Sequence, residues 1–467
     1  MSPRSKVNLV SCLLNLLVVL LLFGCASVPK DYPRTESVAF ADHQSTRVGG
    51  YFARAAARHP GESGFAIIRN PRPAFTARVA LTELAEKTLD LQYYIWEADS
   101  TGRILAERLV RAADRGVRVR LLVDDITLAG RDAVVAAIDA HPNIEIRVFN
   151  PFAHRRARAL DFLVDFNRVN HRMHNKIMVM DNAVAVVGGR NIGNHYFGVD
   201  TEANFRDLDV AAGGPVVREI SQVFDHFWNG VWAVPIAALV DRPYTEDDLQ
   251  AAVKQVRGQI IEGEYPHPLD QDIARLKSEL RGIFDAFIWA PGKIVWDDPA
   301  TIMRTGSTSR MAEALYNRVG QLDTELLIES AYFVPRGRAV RTLTELDDRG
   351  VRVRVLTNSW PPTTCWPPMP ATRRAVKSSS PVASSSTSCV PTRDRSARTS
   401  SPDAPRPHCT QRASSSTAGM SSSGASISIL APATSTPRLG YMWRAPSWLL
   451  KSSRTWMRVC IRTLASL

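Results

Sequence analysis

The residues best suited to chemistry lie in the stretch from His171 to Phe197, which reads HRMHNKIMVMDNAVAVVGGRNIGNHYF. It contains His174, Lys176 and Asp181, followed by the turn at residues 188–191. Side chains two residues apart in a strand share a face, so His174 and Lys176 are expected to point the same way. An imidazole can act as a nucleophile, a lysine can neutralise a phosphate oxygen, and an aspartate can orient an imidazole. The spacing predicts a phosphoryl-transfer half-site that needs no metal.

A buried hairpin is predicted to position these side chains. Ile177 to Met180 is an apolar, β-prone run, Asp181-Asn182 is a turn pair, and Ala183 to Val187 is a second apolar run,. The polar start of the first strand and the glycine-rich end of the second strand would then lie side by side.

The chain before the hairpin alternates between helical and strand patterns. Helices are predicted for residues 75–87, 104–115 and 132–141, and strands for residues 89–96, 117–123 and 144–149,. This order predicts a mainly parallel sheet with helices on both faces, which the hairpin extends. Tyr93, Tyr94 and Trp96 at one strand end are open to two interpretations, the lining of a lipid groove or plain core packing.

The motif HNKIMVMD followed by GGRN resembles the HKD signature of the phospholipase D superfamily. The run LDLQYYIWEADSTGRILAERLVRAADRGVRVRLLVDD, with HPNIEIRVFNPF and VNHRMHNK after it, resembles the C-type bacterial cardiolipin synthases within that superfamily. The resemblance extends from Tyr51 to Ser359. It implies an α/β fold, a phospholipase D-like duplicated α/β/α sandwich whose second half is incomplete here.

The resemblance also implies a reaction and its residues. A phosphatidyl group would be transferred through a covalent phosphohistidine, with His174 as one of two reacting histidines. Lys176, Asn191 and Gly189 would hold phosphate oxygens, and Asp181 would orient or tune the half-site. Phospholipids are the implied substrates, phosphatidylglycerol first and phosphatidylethanolamine second, and cardiolipin is the implied product. No cofactor or metal is implied.

The N-terminus predicts attachment to a membrane. Arg4 and Lys6 precede the apolar run Val7 to Phe23, and Cys25 follows a small residue. This pattern is typical of a lipoprotein signal with Cys25 as the lipidated residue, and an uncleaved membrane anchor is the alternative. In both cases the chain is expected on the periplasmic side of a Gram-negative-type envelope. No cysteine lies between Ala26 and Thr364, which excludes a disulfide framework or a cysteine metal site there,.

The net charge of +12 is carried entirely by the end of the chain. From Trp360 to Leu467 there are 14 basic and 2 acidic residues, whereas residues 1–359 contain 44 of each. The region that resembles an enzyme is therefore neutral overall, and no nucleic-acid partner is expected.

An internal duplication predicts a second catalytic motif. Asp348 to Arg354 repeats Asp114 to Arg120 letter for letter, so a second HKD motif is expected near position 408,. The sequence there is instead rich in Ser, Pro, Thr and Arg, and no glutamate occurs after Ser359. A shifted reading frame restores the motif, because Cys409 to Ala418 can encode His-Thr-Lys-Gly-Phe-Ile-Val-Asp-Gly. The chain is predicted to be out of frame from about Ser359 or Trp360, with impaired activity; a true low-complexity tail is the alternative.

The predicted organisation is a signal peptide (1–25), a linker (26–59), a first phospholipase D-like domain (60–240), a linker with helical insert (241–290), the start of a second such domain (291–359) and a disordered tail (360–467). Two other functions stay open. A secreted endonuclease of the same superfamily is disfavoured by the neutral charge, and an inactive membrane-anchored remnant is the other candidate.

Overall fold

The computed structural model describes residues 26–260, 265, 273–302, 309–330, 333, 335–357 and 427–430. Among these residues, nine strands form one sheet in the order β8-β4-β3-β2-β5-β6-β7-β1-β9. The strands are β1 (Ser63–Ile68), β2 (Thr88–Tyr93), β3 (Arg118–Asp124), β4 (Ile144–Phe149), β5 (Lys176–Met180), β6 (Val184–Gly188), β7 (Asp209–Gly213), β8 (Ala233–Pro235) and β9 (Ile288–Ala290).

The sheet is mixed, and the prediction of a mainly parallel sheet is wrong. Strands β2, β3 and β4 are parallel, because helices connect them,. Every other neighbouring pair in this sheet is antiparallel. The predicted hairpin is confirmed as β5 and β6, and it lies in the middle of the sheet, where β5 pairs with β2 and β6 with β7.

Helices pack on both faces of the sheet. They are α1 (Arg47–Ala57), α2 (Pro71–Leu84), α3 (Ser100–Asp114), α4 (Asp132–Asp139), α5 (Asp161–Val164), α6 (Phe166–Val169), α7 (Asn194–Phe197), α8 (Pro215–Asn229), α9 (Glu246–Gly258) and α10 (Ile273–Asp285). Met178 and Met180 of β5 join the core formed with α2 and α3, whereas Ile177 and Val179 pack against α8. This alternation follows from the two-residue repeat of a strand.

Residues 34–40 form an extended segment, here called the strap, which is bonded to the first domain along its length. Its Ser37 carbonyl accepts a hydrogen bond of 2.8 Å from the Arg120 guanidinium, and its Ala39 N–H donates to Asp225 at 2.8 Å. After the strap, α1 buries Phe52 against the same core. The prediction that residues 26–59 are a linker is therefore wrong. A polar sequence can be held by backbone hydrogen bonds, which leave no apolar pattern.

The region predicted as a helical insert contains α9 and α10, but β9 at its end belongs to the first sheet. The following elements are β10 (Lys293–Trp296), α11 (Pro299–Ile302), α12 (Arg310–Val319), β11 (Glu325–Glu329), α13 (Arg338–Asp348), β12 (Arg352–Leu356) and β13 (Ile427–Leu430). Strands β11 and β12 are parallel around α13, as β2 and β3 are around α3. Strand β10 pairs antiparallel with β13.

The predicted signal peptide and the position of the expected second motif near residue 408 lie outside the described residues, as does the predicted tail apart from β13. Within the part of the chain that the structure describes, no helix has both the length and the apolar character needed to cross a bilayer.

Candidate active site

The local sequence explains why the hairpin forms. Asp181 and Asn182 adopt positive φ values of 52° and 50°, the backbone that a tight two-residue hairpin turn requires and that Asp and Asn tolerate,. At the other end of β5, Lys176 pairs with Tyr93, the last residue of β2. His174 therefore lies at the carboxyl end of the parallel strands.

His174 is half-buried beneath the ring of Tyr94, with the two ring centroids 4.1 Å apart. Its Nδ1 lies 3.3 Å from the carbonyl oxygen of Arg172. Because a carbonyl can only accept, Nδ1 carries the hydrogen and the neutral imidazole keeps its lone pair on Nε2. Burial, reinforced by the charge of Lys176, lowers the pKa of His174 to about 3,. The imidazole is therefore uncharged at neutral pH.

Lys176 lies beside His174, as the strand spacing predicted. Its Nζ donates to the His174 carbonyl at 2.5 Å and lies 5.3 Å from the centroid of the Tyr94 ring. The Tyr94 ring therefore contacts both groups of the motif. A cation and a neutral imidazole on one aromatic ring form a compact site for an anionic group.

Asp181 does not contact His174, contrary to the predicted orienting role. Six residues lie between the two, and the five of them that form β5 already span roughly 17 Å,. The Asp181 carboxylate accepts hydrogen bonds from the N–H groups of residues 86, 87 and 88 at 3.0, 2.8 and 2.8 Å. Asp181 thus fixes the hairpin turn to the start of β2. The Arg172 carbonyl takes the orienting position beside His174.

Gly189 and Asn191 are the two turn residues predicted to bind phosphate, and they differ in whether a hydrogen-bond donor remains for that role. The N–H of Gly189 donates to the Leu208 carbonyl at 2.9 Å, so its predicted donor is already committed to that carbonyl. Asn191 accepts from the N–H of Ile95 at 3.0 Å and donates to the Tyr196 hydroxyl at 2.8 Å. Its amide carries two hydrogens, so a phosphate-binding role for Asn191 stays a prediction.

Arg190, from the same turn, is fixed by a buried ionic network. Asp209 accepts from Arg190 Nη1 at 3.2 Å and from Arg78 Nη1 at 2.9 Å. Arg78 also donates to the Tyr93 hydroxyl at 3.0 Å. Tyr93 is therefore a core residue, whereas its neighbour Tyr94 belongs to the site.

Asp124 supports the site, although the sequence analysis assigned it no role. Its buried carboxylate accepts from the Met173 N–H at 2.9 Å and from Arg172 Nη1 at 3.2 Å, and so fixes the two residues before His174. Burial raises the pKa of Asp124 to about 6, against the opposing charge of Arg172,. The signal was its position as the last residue of β3, since polar side chains at the carboxyl ends of parallel strands gather at one edge.

Comparisons with known proteins find one family model and several proteins that resemble this chain. The sequence model of the family described as "Cardiolipin synthase, PLD-like domain" matches residues 79–228. The chain is 38% identical over 316 residues to cardiolipin synthase C of Escherichia coli, covering 65% of this chain and 64% of that protein. It is 34% identical over 165 residues to a cardiolipin synthase of Geobacillus kaustophilus, covering 35% of this chain and 31% of the relative. The chain thus spans less than two thirds of these relatives.

A solved structure with some likeness is phosphatidylserine synthase from Haemophilus influenzae. It has a TM-score of 0.42 and 14% sequence identity, and the match covers 66% of this chain and 65% of that chain.

Proposed function

Residues 79–228 form a phospholipase D-like domain, and on that premise we propose that the protein is a phosphatidyltransferase whose nucleophile is His174. The main support for the proposal is that the imidazole of His174 is neutral and has its hydrogen on Nδ1. Its Nδ1–H faces the Arg172 carbonyl and its pKa is lowered to about 3, so Nε2 holds a lone pair beside the charge of Lys176. This is the arrangement that attack on a phosphodiester requires.

The proposed reaction has two displacements. Nε2 of His174 forms a bond to phosphorus while the bond from phosphorus to the headgroup oxygen breaks, and the departing alcohol takes a proton from a general acid. Lys176 neutralises charge on a non-bridging oxygen. The oxygen of an incoming alcohol then bonds to phosphorus while the bond from phosphorus to Nε2 breaks, and the group that gave up its proton in the first step takes the proton of this alcohol. A phospholipid headgroup as acceptor gives cardiolipin, and water gives phosphatidic acid.

The substrate and the location belong to the same proposal. Phosphatidylglycerol is the first candidate substrate and phosphatidylethanolamine the second, because the relatives that match are named cardiolipin synthases. The basic and apolar N-terminus with Cys25 supports attachment to the periplasmic side of the membrane as a lipoprotein,.

The general acid is expected from the second half, and this chain is proposed to be impaired there. The proposed impairment is supported by the reading frame, because Cys409 to Ala418 can encode a complete motif in the shifted frame. Resequencing the gene around codons 355–365 tests this part directly. A restored base would return a two-site enzyme.

A substrate that needs no general acid tests His174 by itself. A phosphatidyl ester of p-nitrophenol has a leaving group that departs as an anion near neutral pH. The full chain should release up to one equivalent of nitrophenol and acquire a phosphatidyl adduct on His174, detectable by mass spectrometry with EDTA present. The H174Q variant should do neither. Equal release by the wild-type chain and H174Q would contradict the proposal, and cleavage of plasmid DNA in the same buffer would favour the nuclease.

A further inference from the structure

The edge of the sheet that carries His174 also carries exposed apolar side chains. The chain leaves the sheet at Phe149, the end of β4, and returns at Lys176, the start of β5, so the loop of residues 150–175 lies at this edge. Within it, the exposed fractions of Leu163, Val164 and Phe166 are 81%, 71% and 51%.

Val231 lies two residues before β8 at the same edge of the sheet, and 68% of the residue is exposed. Its neighbour Trp232 accepts from the N–H of Asn150 at 2.7 Å through its carbonyl, and the Asn150 side chain donates to the carbonyls of Arg168 and His171 at 2.8 Å each. Asn150 therefore links the two parts. Leu163, Val164, Phe166 and Val231 are called the site-edge patch below.

The strap crosses the domain from one edge of the sheet to the other, and its N-terminal end lies at the edge of His174. Its last residue, Phe40, accepts from Asn182 at 3.0 Å, in the turn that bonds to Thr88 at the amino end of β2. Its first residue, Arg34, donates to the carbonyls of Gly230 and Ala233. Ala233 pairs with Phe149 at the carboxyl end of β4. The residues before Arg34 therefore leave the domain at the edge where His174 lies.

The chain before the strap is short, which limits the distance between the site-edge patch and the apolar N-terminal run. The 10 residues between Phe23 and Arg34 span at most roughly 36 Å, and they connect to the apolar run Val7 to Phe23,. An apolar run of this kind is a membrane segment or a signal ending at the lipidated Cys25. In either form, the membrane attachment is confined to the neighbourhood of the site-edge patch.

The second half of the chain begins beside α8 and β8, where Asp298, Pro299 and Ala300 line a groove with Val231 and Trp232. His226 of α8 lies 3.1 Å from the Asp298 carboxylate. This half follows β9, which is at the opposite end of the sheet from β8 and β4. Its Glu329 approaches Arg206 at 3.6 Å, in the loop that precedes β7. Asp209 pairs with Gly188 at the end of β6, so the second half also reaches the edge of the sheet at which β5 begins. Leu163, Val164 and Phe166 nevertheless stay exposed within the described part of the chain.

We propose that the site-edge patch is a membrane-docking surface, which the strap holds against the lipid headgroups so that His174 faces its substrate layer. This inference rests on the proposed function for the identity of the substrate. Apolar side chains around a site insert into the boundary between headgroups and acyl chains, as amphipathic surfaces do.

Photo-crosslinking in the full chain tests the docking surface. A benzophenone amino acid replaces Leu163 in one variant and Tyr51 in the matched control, and each protein is placed in vesicles of phosphatidylglycerol and phosphatidylethanolamine. Tyr51 is 41% exposed, and α1 begins at the opposite edge, where Arg47 binds Glu86 just before β2. Lipid adducts should form at position 163 about fivefold more often than at position 51.

Three outcomes would overturn the proposal. They are equal lipid labelling at the two positions, adducts at 163 that join two copies of the chain, and failure of the chain to associate with the vesicles. A second variant guards against an effect of the probe itself. With the probe at Phe166, the L163D/V164D substitutions should lower lipid adducts about fivefold, since carboxylates are excluded from the interface, while the circular dichroism spectrum is unchanged. Nitrophenol release at His174 without lipid adducts would reject the docking surface and leave the proposed function intact, whereas lipid adducts without release would do the reverse.

Discussion

At the scale of single residues, the environment of His174 determines which chemistry the motif can perform. A histidine with an ordinary pKa would be partly charged near pH 6.5, and an imidazolium has no lone pair for attack on phosphorus. Burial and Lys176 keep this imidazole neutral. The motif therefore offers a neutral imidazole and a cation, and in the proposed reaction the acid has to come from another group.

Replacement of Lys176 by methionine should raise the pKa of His174. Removal of the neighbouring positive charge stabilises the imidazolium, but burial is the larger cause and remains, so the pKa should stay below the ordinary value of 6.5,. Titration of the His174 ring signals by NMR measures the change. A pKa that stays at the wild-type value would show that Lys176 does not act on the imidazole.

Asp181 is predicted to stabilise the fold rather than the reaction. The D181A variant removes the acceptor of three N–H donors, of which that of Thr88 is buried, and this should lower the free energy of unfolding by about 3 kcal/mol,. D181N keeps one acceptor oxygen and tolerates the positive φ, so its loss should be smaller. Urea unfolding of both variants measures this. A D181A protein as stable as wild type would contradict the role.

At the scale of elements, Asp124 connects the end of β3 to the segment that enters β5. The D124A variant should loosen residues 150–173, because the Met173 N–H and the Arg172 guanidinium lose their acceptor. Hydrogen exchange in that segment should rise by about tenfold, corresponding to loss of about 1.4 kcal/mol of local stability. D114A is a matched control, since Asp114 is 55% exposed and contacts only His141 among the pairs described. Unchanged exchange in D124A would remove Asp124 from this role.

The sequence predicted the elements whose signals are local. The hairpin β5–β6 is defined by two apolar runs and an Asp-Asn turn, and β4 was predicted with its observed bounds of residues 144–149. The mixed sheet was missed because a periodic pattern identifies a strand but not the direction of its neighbour, and β5 and β6 pair antiparallel with β2 and β7,. Strands β8 and β9 have only three residues each, too short for a periodic pattern. The orienting role was misassigned to Asp181 because the spacing of a motif does not show the distance in space between its residues. An extended strand, β5, separates Asp181 from His174. The strap was missed because backbone hydrogen bonds to distant arginines leave no pattern in their own segment.

At the scale of the whole molecule, buried carboxyl groups should make stability depend on pH. Burial raises the pKa of Asp139 to about 7, even though its carboxylate accepts from the Ile146 N–H at 2.6 Å. The folded protein then holds this proton up to a higher pH than the unfolded chain does. Its contribution to stability is complete below about pH 4 and is lost as the pH rises through 7.

The D139N variant should remove this dependence. The difference in the free energy of unfolding between wild type and D139N at each pH isolates this group, because the other titrating residues contribute equally to both proteins. One of them is His174, whose lowered pKa makes stability rise with pH,. Relative to D139N, the wild type should become progressively less stable between pH 4 and pH 8 in urea unfolding. A constant difference across that range would show that the carboxyl group titrates normally.

The strap also sets a limit on how the protein can be shortened. Removal of the apolar leader is the usual route to a water-soluble form, and the sequence around residues 26–59 suggests that any cut there is harmless. A chain starting after Phe40 would leave the guanidinium groups of Arg120 and Arg147 without the carbonyls of Ser37 and Thr35, and Asp225 without the Ala39 N–H. Arg120 and Arg147 are each 1% exposed, so each would lose one acceptor in a place that water does not easily reach, while Arg120 keeps Asp90 and Arg147 keeps the Trp228 carbonyl,. A water-soluble form should therefore begin before Arg34, and proteolysis within the strap would destabilise the first domain without touching His174 or Lys176.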